Sequence, residues 1–114
     1  MTIQYKNAQI KLSTTNMTTV LTINTSSIAI VKSMYVSNND ALTAVTVNCD
    51  LHDSSASADT EFFRKDIAAT TTVNATEQGL NLEAGDAIKA QAETADKLEI
   101  ALSYALIDRS QENG

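Results

Sequence analysis

From Val45 to His52 the chain alternates without a break. Val45, Val47, Cys49 and Leu51 take one parity, and Thr46, Asn48, Asp50 and His52 take the other. The pattern returns near the C-terminus, where Leu98, Ile100, Leu102, Tyr104 and Leu106 interleave with Glu99, Ala101, Ser103 and Ala105. A helix scatters residues spaced by two around its circumference, whereas a strand places them all on one face of a sheet. The chain must therefore form strands with one apolar face in a core. The opposite face carries hydroxyls, amides and carboxylates.

The remaining strands follow from the same reading. Candidates lie near Ala8 to Ser13, Met17 to Ile23, Ser27 to Val36, Ala44 to His52, Glu61 to Ile67, Thr70 to Ala75, Asp86 to Ala92 and Lys97 to Leu106. Turn-forming residues separate them: Thr14-Thr15-Asn16, Asn24-Thr25, Asn38-Asn39-Asp40, Asp53 to Asp59, Gln78-Gly79 and Ala84-Gly85-Asp86. The stretch Ala84 to Leu102 is rich in helix-favouring Ala, Lys, Glu and Gln. There Ile88, Ala90 and Ala92 still alternate with Lys89, Gln91 and Glu93, so a strand is expected. The pattern predicts an all-β chain over residues 1–114, folded as a single antiparallel β-sandwich, jelly-roll or Ig-like, of about eight short strands.

Composition limits what this sandwich can be. The 114 residues are 43% hydrophobic, yet aromatics make up only 4% and Trp is absent. The core is then aliphatic, a thin double layer of modest stability on its own, and association is one way to add to it. Proline is absent as well. Pro-free edge strands lack one of the usual guards against pairing with another chain. The Thr- and Asn-rich run Ser13 to Thr19 is expected at an edge or in an N-terminal arm, and the polar tail 108–114 is expected to fray unless a partner orders it.

The net charge is −6, with only eight Lys and Arg spread from Lys6 to Arg109. That balance points away from nucleic acid and from anionic membrane surfaces. No apolar run approaches the ~20 residues that span a bilayer. The start Met1-Thr2-Ile3-Gln4-Tyr5-Lys6 lacks the basic and apolar stretches of a signal peptide, so the expectation is synthesis in the cytoplasm without export by that route.

Reactive constellations are sparse. Cys49 is the single cysteine and lies on the apolar parity, where it reads as a small buried hydrophobe. His52, the single histidine, lies among Asp50, Asp53, Asp59 and Glu61. One histidine is poor zinc chemistry, and the loop Asp53 to Asp59 lacks the acidic spacing and the Gly of a calcium motif. Glycines at 79, 85 and 114 make no phosphate loop. No nucleophile elbow occurs, and acidic pairs such as Asp59 and Glu61 lack an aromatic-lined cleft for sugar hydrolysis. The sequence assigns no catalytic residue, no metal ligand and no cofactor, and the chain reads as a non-enzyme.

The aromatics suggest contact surfaces instead. Tyr35 takes the parity opposite Met34 and Val36 and should show its ring to solvent. In a regular strand, one of Phe62 and Phe63 points outward; the equal alternative is that the thin core or neighbouring loops absorb both rings. Tyr35, Phe62, Phe63, Asn38 and Asn39 are therefore the candidate interface residues. A sugar site, which pairs an exposed ring with polar groups, could be assembled only from Tyr35, Asn38 and Asn39.

Four segments in order, Ala29 to Asn38 (AIVKSMYVSN), Leu51 to Ala58 (LHDSSASA), Leu82 to Ala90 (LEAGDAIKA) and Leu102 to Leu106 (LSYAL), resemble small virion structural proteins of tailed bacteriophages, especially marine and cyanobacterial ones. That group tends to open with IKLST, as residues 10–14 do here, and to close on SYxEI. The present chain departs at Asn24 to Ser26, where the group often has a Pro-containing turn, and at Ala105, where it has an acidic residue. The resemblance implies a β-sandwich present in many copies in the virion, at the capsid surface as a decoration or cement protein, at the neck or in the tail. It further implies protein partners (major capsid, neck or tail proteins) and a homo-oligomer. The alternative is a tail- or fibre-associated module that binds host surface glycans.

Overall fold

The computed structural model describes residues 2–109. Nine strands run in order: β1 (Thr2–Lys11), β2 (Thr18–Thr22), β3 (Ser27–Asn38), β4 (Val45–Asp53), β5 (Ala58–Ile67), β6 (Thr72–Asn74), β7 (Leu80–Leu82), β8 (Ala87–Ala92) and β9 (Leu98–Asp108). Every pairing is antiparallel. One sheet has the order β1-β9-β3-β6, with β7 also on β3, and the other has the order β2-β8-β4-β5. Taken together, β6 and β7 form one interrupted edge. The chain then crosses between two four-position sheets in a jelly-roll-like order, one of the two architectures expected.

The core is aliphatic, as the composition requires. Val31, Met34 and Val36 of β3 meet Val45, Val47 and Cys49 of β4, Ile88 and Ala90 of β8, and Leu98, Ile100 and Leu102 of β9. Tyr104 is the aromatic ring buried among them. Burial alternates with the sequence from Val45 to Asp50 in β4 and from Leu98 to Tyr104 in β9, so these runs fold as their period demands.

Three departures from a regular period matter. β3 gains a residue at Lys32, β2 at Val20 and β5 at Phe62, each a bulge that lets two residues oppose one. At β3 the bulge moves the inward parity from Ala29 and Val31 to Met34 and Val36. At β5, Cys49 faces Phe63 while Asp50 faces Glu61, so Phe62 is the extra residue. Both rings are consequently half-buried against the core, the second of the two arrangements the sequence allows.

Two strands differ from expectation. β7 has only three residues, too few for an alternation to be seen. β1 begins at Thr2 and not near Ala8. Its apolar residues change face along the strand, from Ile3 and Tyr5 on the outside to Ala8 and Ile10 against the core. That change hides the period although the register with β9 is unbroken. Ser13 to Thr19 becomes the turn into β2 and the start of that strand, and the first segment is an edge strand. Asp108, expected in the polar tail, is paired with Thr2 and Ser27, and residues 110–114 lie outside those described.

Candidate interaction surface

Two buried polar side chains, Asp86 and Asn38, hold loops together. Asp86, in the turn just before β8, is buried, and its Oδ1 accepts from the Ser54 amide at 3.1 Å while Oδ2 accepts from the Glu83 amide at 2.9 Å. The Ser54 hydroxyl donates to the Ala84 carbonyl at 3.1 Å. The β4–β5 hairpin is thereby fastened to the turn before β8. Gly85 fits this clasp at φ +82°, where a Cβ would stand 2.7 Å from the Ser54 hydroxyl. Asn38 makes a second clasp: its amide donates to the carbonyls of Thr43 at 3.0 Å and Ile67 at 2.8 Å, and its oxygen accepts from the Asp40 amide. The clasp is not evident in the sequence, because Ser54 lies 32 residues from Asp86.

The acidic neighbourhood of His52 is an exposed ion-pair chain. His52 Nδ1 lies 2.6 Å from Asp59 Oδ1, and Asp59 Oδ2 lies 3.3 Å from Lys89 Nζ. The hydrogen bond from His52, then that from Lys89, hold the Asp59 carboxyl below the usual carboxylate range. Lys89 thus supplies a positive charge beside the Asp59 carboxylate. Among the described residues no group of three His, Cys, Asp or Glu side chains converges as a metal site. Cys49 is fully buried, and desolvation pushes its thiol up to about 12, so it is no nucleophile at neutral pH.

The five candidate interface residues do not form one patch. Tyr35 is 47% exposed on the outer face of its sheet, as its parity predicts. Asn38 is buried and its polar atoms are taken. Asn39 is exposed, and its amide donates to Glu99. Phe62 and Phe63 lie on β5, an edge of the other sheet. Asn38 is therefore lost to Tyr35 as a ligand group.

A larger surface emerges from the register. Across β1, β9 and β3 the outward residues stand in rows: Ile3–Ile107–Ile28, then Tyr5–Ala105–Ile30, Asn7–Ser103–Ser33, Gln9–Ala101–Tyr35 and Lys11–Glu99–Ser37. The first two rows are apolar, with Tyr5 77% and Ile3 52% exposed. The bulge at Lys32 places its ammonium 5.3 Å from the centre of the Tyr5 ring, a cation–π contact on the same patch. The later rows are polar and edge a shallow depression of about 430 Å³ between Lys11, Asn39 and Glu99. Sequence reading had left Ile3 and Tyr5 out, because only the pairing with β9 shows that they share a face with Ile28 and Ile30.

No protein-family model and no curated protein matches the chain. Solved structures do. A chain of the Helicobacter pylori bacteriophage KHP30 capsid superposes with a TM-score of 0.61 at 12% identity, over 96% of this chain and 90% of that one. A chain of the Bacillus endospore appendages, described as disulfide-linked pili, gives 0.59 at 13% identity with the same coverage. A chain of the IBDV viral particle gives 0.54 at 6% identity and is matched over 31% of its length. At such identities the likeness shows a shared fold and nothing more.

Proposed function

We propose that this chain is a non-enzymatic structural subunit of a bacteriophage virion, a capsid decoration or neck protein that acts through protein–protein contacts. The observation that carries the reading is the two-sheet fold, similar along almost its whole length to a phage capsid chain. It agrees with the ordered sequence segments from Ala29 to Leu106 that resemble tailed-phage virion proteins. The chemistry of the site points the same way. Asp86 and Asn38 are spent on loop clasps, Asp59 on an ion pair, and Cys49 is sealed in the core. What remains for function is surface: the apolar rows around Tyr5 and the polar rows around Tyr35.

The partners are then other virion proteins, and the place of action is the particle after synthesis in the host cytoplasm. A subunit that binds across neighbouring capsid or neck proteins has affinity for the assembled form alone, and so stabilises it by mass action. The acidic net charge of −6 keeps the free protein soluble until it reaches that surface.

The test is size-exclusion chromatography with light scattering, with and without expanded capsid shells of the phage that encodes the chain. Co-elution with the shells is the expected result. A chain that ignores shells while binding a glycan array through Tyr35 would overturn the reading in favour of a host-glycan module.

A further inference from the structure

The four edges of the sandwich are not alike. β6 and β7 divide one edge into two three-residue pieces. β2 has five residues and a bulge at Val20. β5 carries a bulge at Phe62 and the charges of Glu61, Arg64, Lys65 and Asp66. Short length, bulges and charge are the usual means by which an edge refuses a further strand. β1 is ten residues long, has no bulge against β9, and is uncharged from Thr2 to Tyr5.

Its backbone is also turned outward in the right places. The Leu12 amide, just past β1, donates to the Leu98 carbonyl at 2.9 Å, so even-numbered residues face β9. Ile3, Tyr5, Asn7, Gln9 and Lys11 therefore direct their N–H and C=O groups to the open edge. From Thr2 to Asn7 every residue is exposed, so neither face of this half obstructs a newcomer.

We infer that β1 pairs antiparallel with β1 of a second copy of this chain, on a two-fold axis at Tyr5. A strand that extends an edge must itself be a free strand, and β1 is the one unguarded strand among those described, so two copies meet through it symmetrically. The register follows from the side chains. An axis at Lys6 sets Lys6 against Lys6. An axis at Asn7 sets Ile3 against Lys11 and separates the apolar rows, and an axis at Gln4 leaves only Ile3 and Tyr5 to pair. With the axis at Tyr5, Ile3 faces Asn7 of the second copy, Lys6 faces Gln4, and the row Tyr5–Ala105–Ile30 runs on into its own image. This deepens the proposed structural role by naming the self-contact, and it rests on the edge geometry, so it can fail while the virion role stands.

Light scattering across a dilution series should give twice the chain mass for the native protein and the single mass for Tyr5→Pro. Proline is tolerated at an edge where the lost N–H faces outward, and an unchanged circular dichroism spectrum checks that the variant folds. Ile3→Cys and Asn7→Cys proteins, mixed and mildly oxidised, should form a disulfide-linked pair. Opposed residues of a hydrogen-bonded pair stand about 5.5 Å apart at Cα, within disulfide reach. The buried Cys49 does not compete. A native monomer at every concentration, a dimer that survives Tyr5→Pro, or equal cross-linking of Ile3→Cys with Lys11→Cys would each overturn the pairing. Shell binding measured on the Tyr5→Pro monomer separates that failure from failure of the virion role.

Discussion

Cys49, Asn38 and Tyr35 show how far a single residue can be read from sequence. Parity alone places Cys49 inside and the Tyr35 ring outside, and both are found there. Asn38 lies in what reads as a turn, and its burial depends on carbonyls at Thr43 and Ile67 that only the folded chain brings near. Local pattern reports which face a side chain takes, whereas hydrogen bonds between distant loops are invisible to it. Two predictions belong at this scale. The Cys49 thiol should resist iodoacetamide in the native state and react once the chain is unfolded. Because its folded value is raised to about 12 from 9.0, the unfolded thiol ionises first, so stability should fall as pH rises above about 9. Asp86→Ala should lower unfolding free energy by about 2–4 kcal/mol in urea titrations, because the part-buried hydrogen bonds from the Ser54 and Glu83 amides lose their carboxylate acceptor. Asp86→Asn, which keeps one oxygen, should cost less.

At the scale of the element, strands with a clean period were legible and strands with an interruption were not. β4, β8 and β9 follow their alternation. The helix-favouring composition of residues 84–102 is overridden, because the apolar residues of β8 can reach the core only in extended form. β7 is too short to carry a pattern, and β1 conceals its pattern by changing its apolar face. The bulge at Phe62 defeats simple parity for the Phe pair, and both rings are half-buried against the core. Gly85 marks a place where one element is fitted to another. Gly85→Ala should reduce stability by at least about 1 kcal/mol, since the residue sits at φ +82° and a Cβ would press on Ser54. Thermal unfolding of that variant beside Ser54→Ala and the double variant checks the account. The double variant should recover the part of the loss that comes from the contact.

For the whole molecule, a thin aliphatic core is joined to a surface tied together by carboxylates. The Leu42 amide lowers the Asp40 carboxyl, the Ser55 hydroxyl lowers Asp53, and His52 lowers Asp59. A carboxyl with a lowered folded value contributes stability above its ordinary value of 3.8, and that contribution is lost as pH falls through the lowered value. The thermal midpoint should therefore drop as pH is taken below about 4, and Asp59→Asn should flatten part of that drop. Fold class was readable from the sequence, through the alternation of β4, β8 and β9. The contact surface was not, because Ile3, Ile28, Ile30 and Tyr5 become neighbours only through the β1–β9–β3 register. The central claim is that this surface serves a particle. Quantitative mass spectrometry of gradient-purified virions tests it most directly. The account predicts this chain at many copies per particle, retained through a high-salt wash. Its absence from washed particles, in infected cells that contain the soluble chain, would contradict it.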